Sequence, residues 1–78
     1  MSADELRKCI VASPFRPFIL NIGDGRRIPV MGRDFIIIAP EKGRSVVVYQ
    51  RNDDFDILDT MLITGVSFES ASNLSTSN

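Results

Sequence analysis

Residues 35–49 read Phe35-Ile36-Ile37-Ile38-Ala39, then Pro40-Glu41-Lys42-Gly43-Arg44-Ser45, then Val46-Val47-Val48-Tyr49. Two short, almost unbroken runs of β-branched residues flank a turn rich in proline, glycine and charge, and this pattern predicts a β-hairpin. Neither run alternates between apolar and polar residues, so both faces of each strand need cover. We therefore predict two central strands of a bent or covered sheet, with Ile37 and Val47 fully buried.

The chain is long enough for one small domain. With 78 residues, it buries only about 60–65% of its unfolded surface, so a single core is marginal. Cys9 is the one cysteine and there is no histidine, which excludes an internal disulfide and argues against structural zinc. Oligomerisation, or unusually good packing of the monomer, is the remaining source of stability.

Charge is unevenly distributed along a chain whose formal net charge is −1. All nine basic residues lie at or before Arg51, where the balance is +4, and the residues that follow carry five acidic groups and no cation. The first residues are polar, with no apolar run for a signal peptide or a membrane span. Together with the lone cysteine, this predicts a cytoplasmic protein with no membrane attachment.

The N-terminal residues predict a short helix over residues 3–12. Ser2 and Glu5 fit a capping box, and Pro14 ends the helix because it disfavours helical geometry at the preceding residue. Cys9 lies on the apolar face of this helix. We interpret it as a buried small hydrophobe, since no histidine is present to activate a nucleophilic thiol.

A hairpin is predicted next, over residues 18–31. Phe18, Leu20 and Ile22 alternate with other residues and are expected to face inward, and Asp24-Gly25 is a strong hairpin turn signal. In the return strand Ile28 and Val30 face the core. Pro29 cannot donate to a ladder, so this strand should lie at an edge or a bulge.

The C-terminal third completes the predicted domain. Residues 55–59 form a strand with Phe55 and Ile57 facing inward, residues 60–63 contain a helical turn, and residues 65–69 form the last strand. The fold class is therefore α+β, with an N-terminal helix packed on a strongly bent, barrel-like antiparallel sheet of about five strands. Residues 1–69 are one domain, and residues 70–78 are a disordered tail rich in serine and asparagine.

Several elements resemble a group of small uncharacterised bacterial proteins of about this length, over most of residues 5–68. The matching elements are Pro14-Phe15-Arg16-Pro17-Phe18, Asp24-Gly25-Arg26, Asp34-Phe35, Val46-Val47-Val48 and Ile63. Relatives often carry His and Pro before the Asp-Phe pair, where this chain has Gly32 and Arg33. The resemblance implies the architecture and brings no established activity. The order of helix and strands is also similar to the Sm-like fold, whose RNA-binding Asn and Gly residues have no clear counterparts here.

Catalytic, cofactor and metal sites are not indicated. There is no histidine and no Gly-x-Ser-x-Gly elbow, and Gly23-Asp24-Gly25 lacks the lysine of a phosphate loop. The carboxylates of Asp54 and Asp56 fit the first two positions of a calcium loop, but the glycine and closing glutamate are missing. We expect no enzyme activity and no cofactor, and we interpret these carboxylates as a solvated turn.

The leading prediction is a non-catalytic interaction module that self-associates as a homo-oligomer. Its candidate interaction surface consists of Arg26, Arg27, Arg33, Arg44, Asp56 and Asp59. In this hypothesis the acidic strand of one chain lies along a basic edge of the next, and apolar contacts hold the assembly. The other arrangement that fits the charges places the strand at residues 53–59 beside a basic strand of the same monomer. The alternative is an Sm-like RNA-binding protein whose basic turns contact phosphates. A protein partner other than a second copy cannot be named from the sequence.

Overall fold

The chain forms one helix and six strands in the computed structural model, which describes residues 1–40 and 43–68. In chain order the elements are α1 (Ala3–Val11), β1 (Phe18–Ile22), β2 (Arg27–Val30), β3 (Ile36–Ile38), β4 (Ser45–Tyr49), β5 (Phe55–Asp59) and β6 (Ile63–Phe68). Short 3-10 turns at Arg33–Phe35 and Thr60–Leu62 lead into β3 and β6. The predicted α+β class and N-terminal helix are confirmed. The predicted tail, residues 70–78, lies outside the described residues.

The strands form two antiparallel sheets of three strands each, where about five strands were predicted. The first sheet has the order β2-β1-β6 and the second sheet has the order β3-β4-β5. The chain passes from the first sheet to the second after β2, and it returns through the turn at Thr60–Leu62. Since β3 pairs only with β4 among the described residues, β3 is an edge strand, and only β4 of the predicted central hairpin is central.

The hydrophobic core is built from alternate residues of the strands and one side of the helix. Its buried members are Leu6, Phe18, Leu20, Ile22, Ile28, Val30, Ile36, Val46, Val48, Leu58 and Ile63. The predicted inward positions of β1 and β2 are therefore confirmed. Pro29 lies on β2 at the sheet edge, as its missing N–H requires.

The turn of the first hairpin lies at Asp24 and Gly25, as predicted from the sequence. Gly25 has a φ of +95°, a backbone conformation that glycine adopts without a steric penalty. The Asp24 carboxylate accepts a hydrogen bond from the Arg26 amide at 3.0 Å. This backbone contact is the main reason why the pKa of Asp24 lies below its ordinary value.

The capping box of α1 is also present as predicted. The Ser2 hydroxyl accepts from the Glu5 amide at 3.2 Å, and the Glu5 carboxylate accepts from the Ser2 amide at 3.2 Å. The contact with the Ser2 amide lowers the pKa of Glu5. The helix ends at Val11, one residue earlier than predicted, and its Leu6 side chain is completely buried against the sheets.

Arg33 closes the other end of α1. Its guanidinium donates to the carbonyl oxygens of Ile10 at 3.1 Å and Ala12 at 2.7 Å, and it lies 5.6 Å from the ring centroid of Phe15. The last carbonyls of a helix have no partner within the helix, and a cation there also interacts favourably with the helix dipole. Arg33 therefore ties α1 to the segment that precedes β3.

Replacing Arg33 with alanine should lower the free energy of unfolding by about 1 kcal/mol, because two exposed hydrogen bonds and a ring contact are lost. Chemical denaturation followed by circular dichroism measures this change. Arg33→Lys is the matched control, since it keeps the charge and loses the two-point geometry. We expect it to fall between the parent and the alanine variant. An alanine variant as stable as the parent would contradict the role of Arg33 as a helix cap.

Candidate interaction surface

The second sheet has one face that no described element covers. The register places Ile37 opposite Val47, Val47 opposite Ile57, and Tyr49 opposite Phe55. Directly opposed residues of antiparallel strands point to the same side of a sheet. These five side chains therefore share one side, which we call the outer face. The rows that contain Val46 and Val48 point to the core.

The outer face is apolar and open to solvent. Ile57 is 68% exposed, Phe55 56%, Ile37 54% and Tyr49 39%, and Val47 between them is half-buried. The rings of Tyr49 and Phe55 lie 5.9 Å apart between centroids at a tilt of 46°. Isolated exposed apolar residues are common on proteins, whereas these five side chains form one contiguous group.

Two predictions about this sheet are wrong. Phe55 and Ile57 point outward, because Leu58 takes the inward position opposite Val46 and is 4% exposed. Ile37 and Val47 are not fully buried, because no element of the described residues packs against the side of the hairpin on which they lie. A strand sequence that does not alternate predicts that both faces of the strand are covered. The described residues cover one face.

A charged pair lies at one end of the outer face. The Arg44 guanidinium donates to the Asp59 carboxylate at 2.9 Å, and Asp59 also accepts from the Met61 amide at 2.8 Å. The amide contact is the main cause, and Arg44 a further one, of the lowered pKa of Asp59. The Met61 side chain is 74% exposed beside this pair, and its sulfur lies 3.7 Å from Arg44 Nη2.

The other end of the outer face is formed by the turn that connects β4 to β5. The Gln50 amide donates to the Asp54 carbonyl at 2.7 Å, and the Asp53 amide donates to the Gln50 carbonyl at 3.1 Å. Asp53 has a φ of +71°, which an aspartate tolerates in a tight turn. Arg51, Asp53 and Asp54 are exposed there.

The six predicted surface residues do not form one patch. Arg26 pairs with Asp24 at 2.8 Å in the first hairpin, and Arg27 begins the edge strand β2. Arg33 caps α1, as described above. Asp56 is half-buried opposite Val48, on the side of the sheet that faces the core. The structure brings together one predicted pair, Arg44 and Asp59, at the end of the outer face.

The remaining chemistry of the described residues is sparse. Burial raises the pKa of the half-buried Cys9 thiol, and Glu5 raises it further, so the thiol disfavours its reactive form. Within residues 1–40 and 43–68, no cluster of three or more His, Cys, Asp or Glu side chains has the placement to hold a metal ion. Over the same residues, no helix has the length and apolar character to cross a membrane.

Comparisons with known proteins found no relative of this chain. The chain matches no protein-family model, no curated protein and no solved structure. The resemblance to small bacterial proteins and the likeness to the Sm-like fold therefore stay predictions.

Proposed function

We propose that this protein is a non-catalytic interaction module that self-associates. One observation carries the proposal: Ile37, Tyr49, Phe55 and Ile57 are large apolar side chains on the same uncovered side of one sheet. A sheet in a stable domain buries its apolar faces against another layer. A partner that supplies this layer removes the four side chains from water.

The sequence supports the same proposal independently. The runs Ile36–Ile38 and Val46–Tyr49 are apolar at every position, a pattern typical of strands that are covered on both faces. A soluble monomer would gain from polar residues at positions 37, 47 and 57. A small domain without disulfide or zinc also gains stability by association.

The arginine contacts give less support to the alternative function, RNA binding, than the outer face gives to self-association. Arg26, Arg33 and Arg44 each donate to an oxygen of this chain at 3.1 Å or less, so a phosphate would compete with these contacts. The outer face carries one tyrosine and one phenylalanine for stacking, beside an exposed acidic turn. The barrel-like closure of the two sheets, the bacterial origin and the cytoplasmic location stay predictions alongside this function.

Sedimentation equilibrium tests the proposed function. The parent protein should shift from monomer to a larger species as its concentration rises from low to high micromolar values. A monomer throughout that range would contradict self-association. Binding of mixed RNA with a steep decrease at rising salt would instead favour the RNA-binding alternative, because counterion release controls phosphate contacts.

A further inference from the structure

The outer face consists of two rows of different shape. Ile37, Val47 and Ile57 form an aliphatic row across all three strands, and Tyr49 and Phe55 form an aromatic row beside it. The rows are two residues apart along β4, a separation of about 7 Å. The two rows are therefore neighbours. Aliphatic and aromatic side chains pack well against each other.

The charges lie beyond these rows, at opposite ends of the strands. Past the aliphatic row are Arg44 and Asp59, which pair with each other. Past the aromatic row is the turn with exposed Arg51, Asp53 and Asp54. The first end is electrically balanced, whereas the three charges of the turn sum to −1.

We propose that the partner of the outer face is a second copy of this chain, stacked face to face with its strands antiparallel to those of the first. The two-fold axis lies between the sheets and crosses β4 between Val47 and Tyr49. This inference rests on the proposed function and adds the occupant of the face and its orientation. Two stacked sheets lie about 10 Å apart, so the side chains of both outer faces interdigitate.

This orientation matches the rows of the two faces by shape and keeps the acidic turns of the two copies apart. The aliphatic row of each copy packs on the aromatic row of the other, with Ile57 above Phe55 and Val47 above Tyr49. The balanced end of each copy, with Arg44 and Asp59, then lies over the turn of the other copy that carries Arg51, Asp53 and Asp54. A parallel stack would instead place the two acidic turns side by side, which like-charge repulsion disfavours.

The exposed apolar side chains of the outer face supply most of the area that a dimer interface needs. A fully exposed aromatic side chain presents on the order of 200 Å², so four large side chains at roughly half exposure leave about 400 Å² of apolar surface per copy. Two copies bury about 800 Å² from these side chains alone. The roughly 1,000 Å² that specific interfaces exceed is then reached if the two charged ends add about 200 Å².

Three of the four edge strands, β2, β3 and β5, offer less to a second copy. Pro29 removes a donor from the edge of β2, and β3 has three residues. The edge of β5 carries Asp56 and Asp59. Such residues and such short strands are typical of edges that are protected from pairing. Addition of a strand at these edges would also leave the apolar side chains of the outer face in water.

The substitution Ile57→Lys tests the interface. Since Ile57 is 68% exposed, the variant should keep the fold of the monomer, but assembly would bury an unpaired charge. We expect the dissociation constant of the dimer to rise at least roughly tenfold. Val11→Lys is the matched control, because Val11 is 70% exposed at the end of α1, away from the outer face. It should assemble like the parent.

The outcomes separate this inference from the proposed function. A parent that stays monomeric contradicts self-association itself. If the parent assembles and Ile57→Lys assembles equally well, self-association stands and the outer face as its interface is wrong. If Ile57→Lys is monomeric and Val11→Lys assembles like the parent, the outer face is the interface.

Cross-linking tests the orientation. In a Cys9→Ala background, Ile57→Cys, Phe55→Cys and Ile37→Cys chains are mixed in pairs and treated with a short bifunctional maleimide, after sedimentation has shown that each assembles. The antiparallel stack predicts that Ile57→Cys links mainly to Phe55→Cys. Preferential linking to Ile37→Cys would overturn the orientation, because a parallel stack places β5 over β3. A Cys variant that fails to assemble is replaced by the pair Val47→Cys and Tyr49→Cys, which are opposed in the same way.

Discussion

Replacing Leu20 with alanine should unfold a large fraction of this protein. Leu20 is completely buried on the central strand of the first sheet, opposite Ile28 on one side and Val66 on the other. Leucine-to-alanine changes in a packed core cost about 2–5 kcal/mol, since burial is lost and a cavity remains. A domain of this size has a total stability of about 4–12 kcal/mol. Thermal unfolding followed by circular dichroism should show a strongly lowered midpoint or no cooperative transition.

Ile37→Ala is the control for this experiment. The substitution removes a similar number of carbon atoms from a side chain that is 54% exposed. At concentrations where the protein is monomeric, we expect a loss of about 1 kcal/mol or less, because surface substitutions leave no cavity. Equal losses for the two variants would mean that the outer face is covered within the monomer.

The first hairpin and the helix were predictable because their signals are local. Asp24 and Gly25 define a turn through their own backbone preferences, and the strands on either side alternate clearly. The capping box of Ser2 and Glu5 spans four residues. None of these features depends on a distant part of the chain, so the sequence around each of them was enough.

The inward side of β5 was not predictable from its own residues. The segment can bury either Phe55 and Ile57, or Asp56 and Leu58, and apolarity alone favours the first choice. The structure has the second, because the turn hydrogen bond from Gln50 to Asp54 places Leu58 opposite the buried Val46. Register, which a single strand does not encode, decides which face is buried.

The candidate surface was missed for a related reason. The sequence-based prediction placed the interaction surface on charged residues, but most of these residues have partners within the chain. Arg26 pairs with a residue two positions away. Arg33 donates to carbonyls more than twenty positions away. The non-alternating strands did indicate that both faces need cover. Only the structure shows that the described residues cover one face and leave the second exposed.

Replacing Gly43 with alanine should be the most damaging change outside the core strands. Gly43 has a φ of +65°, and a Cβ atom added there would lie 2.7 Å from the Cβ atom of Ala3 on the helix. The left-handed conformation costs an alanine about 1–2 kcal/mol, and overpacking adds about 1–3 kcal/mol. The expected loss in free energy of unfolding is therefore about 2–5 kcal/mol, measured by chemical denaturation.

Two further variants separate the backbone contribution from the contact. Gly25→Ala also has a positive φ, but its added Cβ would meet nothing within 4 Å, so it should lose only the backbone part. Ala3→Gly removes the methyl group with which the added Cβ atom of Gly43→Ala would clash. The double variant should therefore recover the part of the free energy of unfolding lost to this clash, whereas the backbone strain at position 43 persists. Because Ala3 begins α1 and Gly43 precedes β4, a positive coupling in this cycle would demonstrate close packing of the helix against the central hairpin. An additive cycle would mean that the helix does not approach the hairpin at this point.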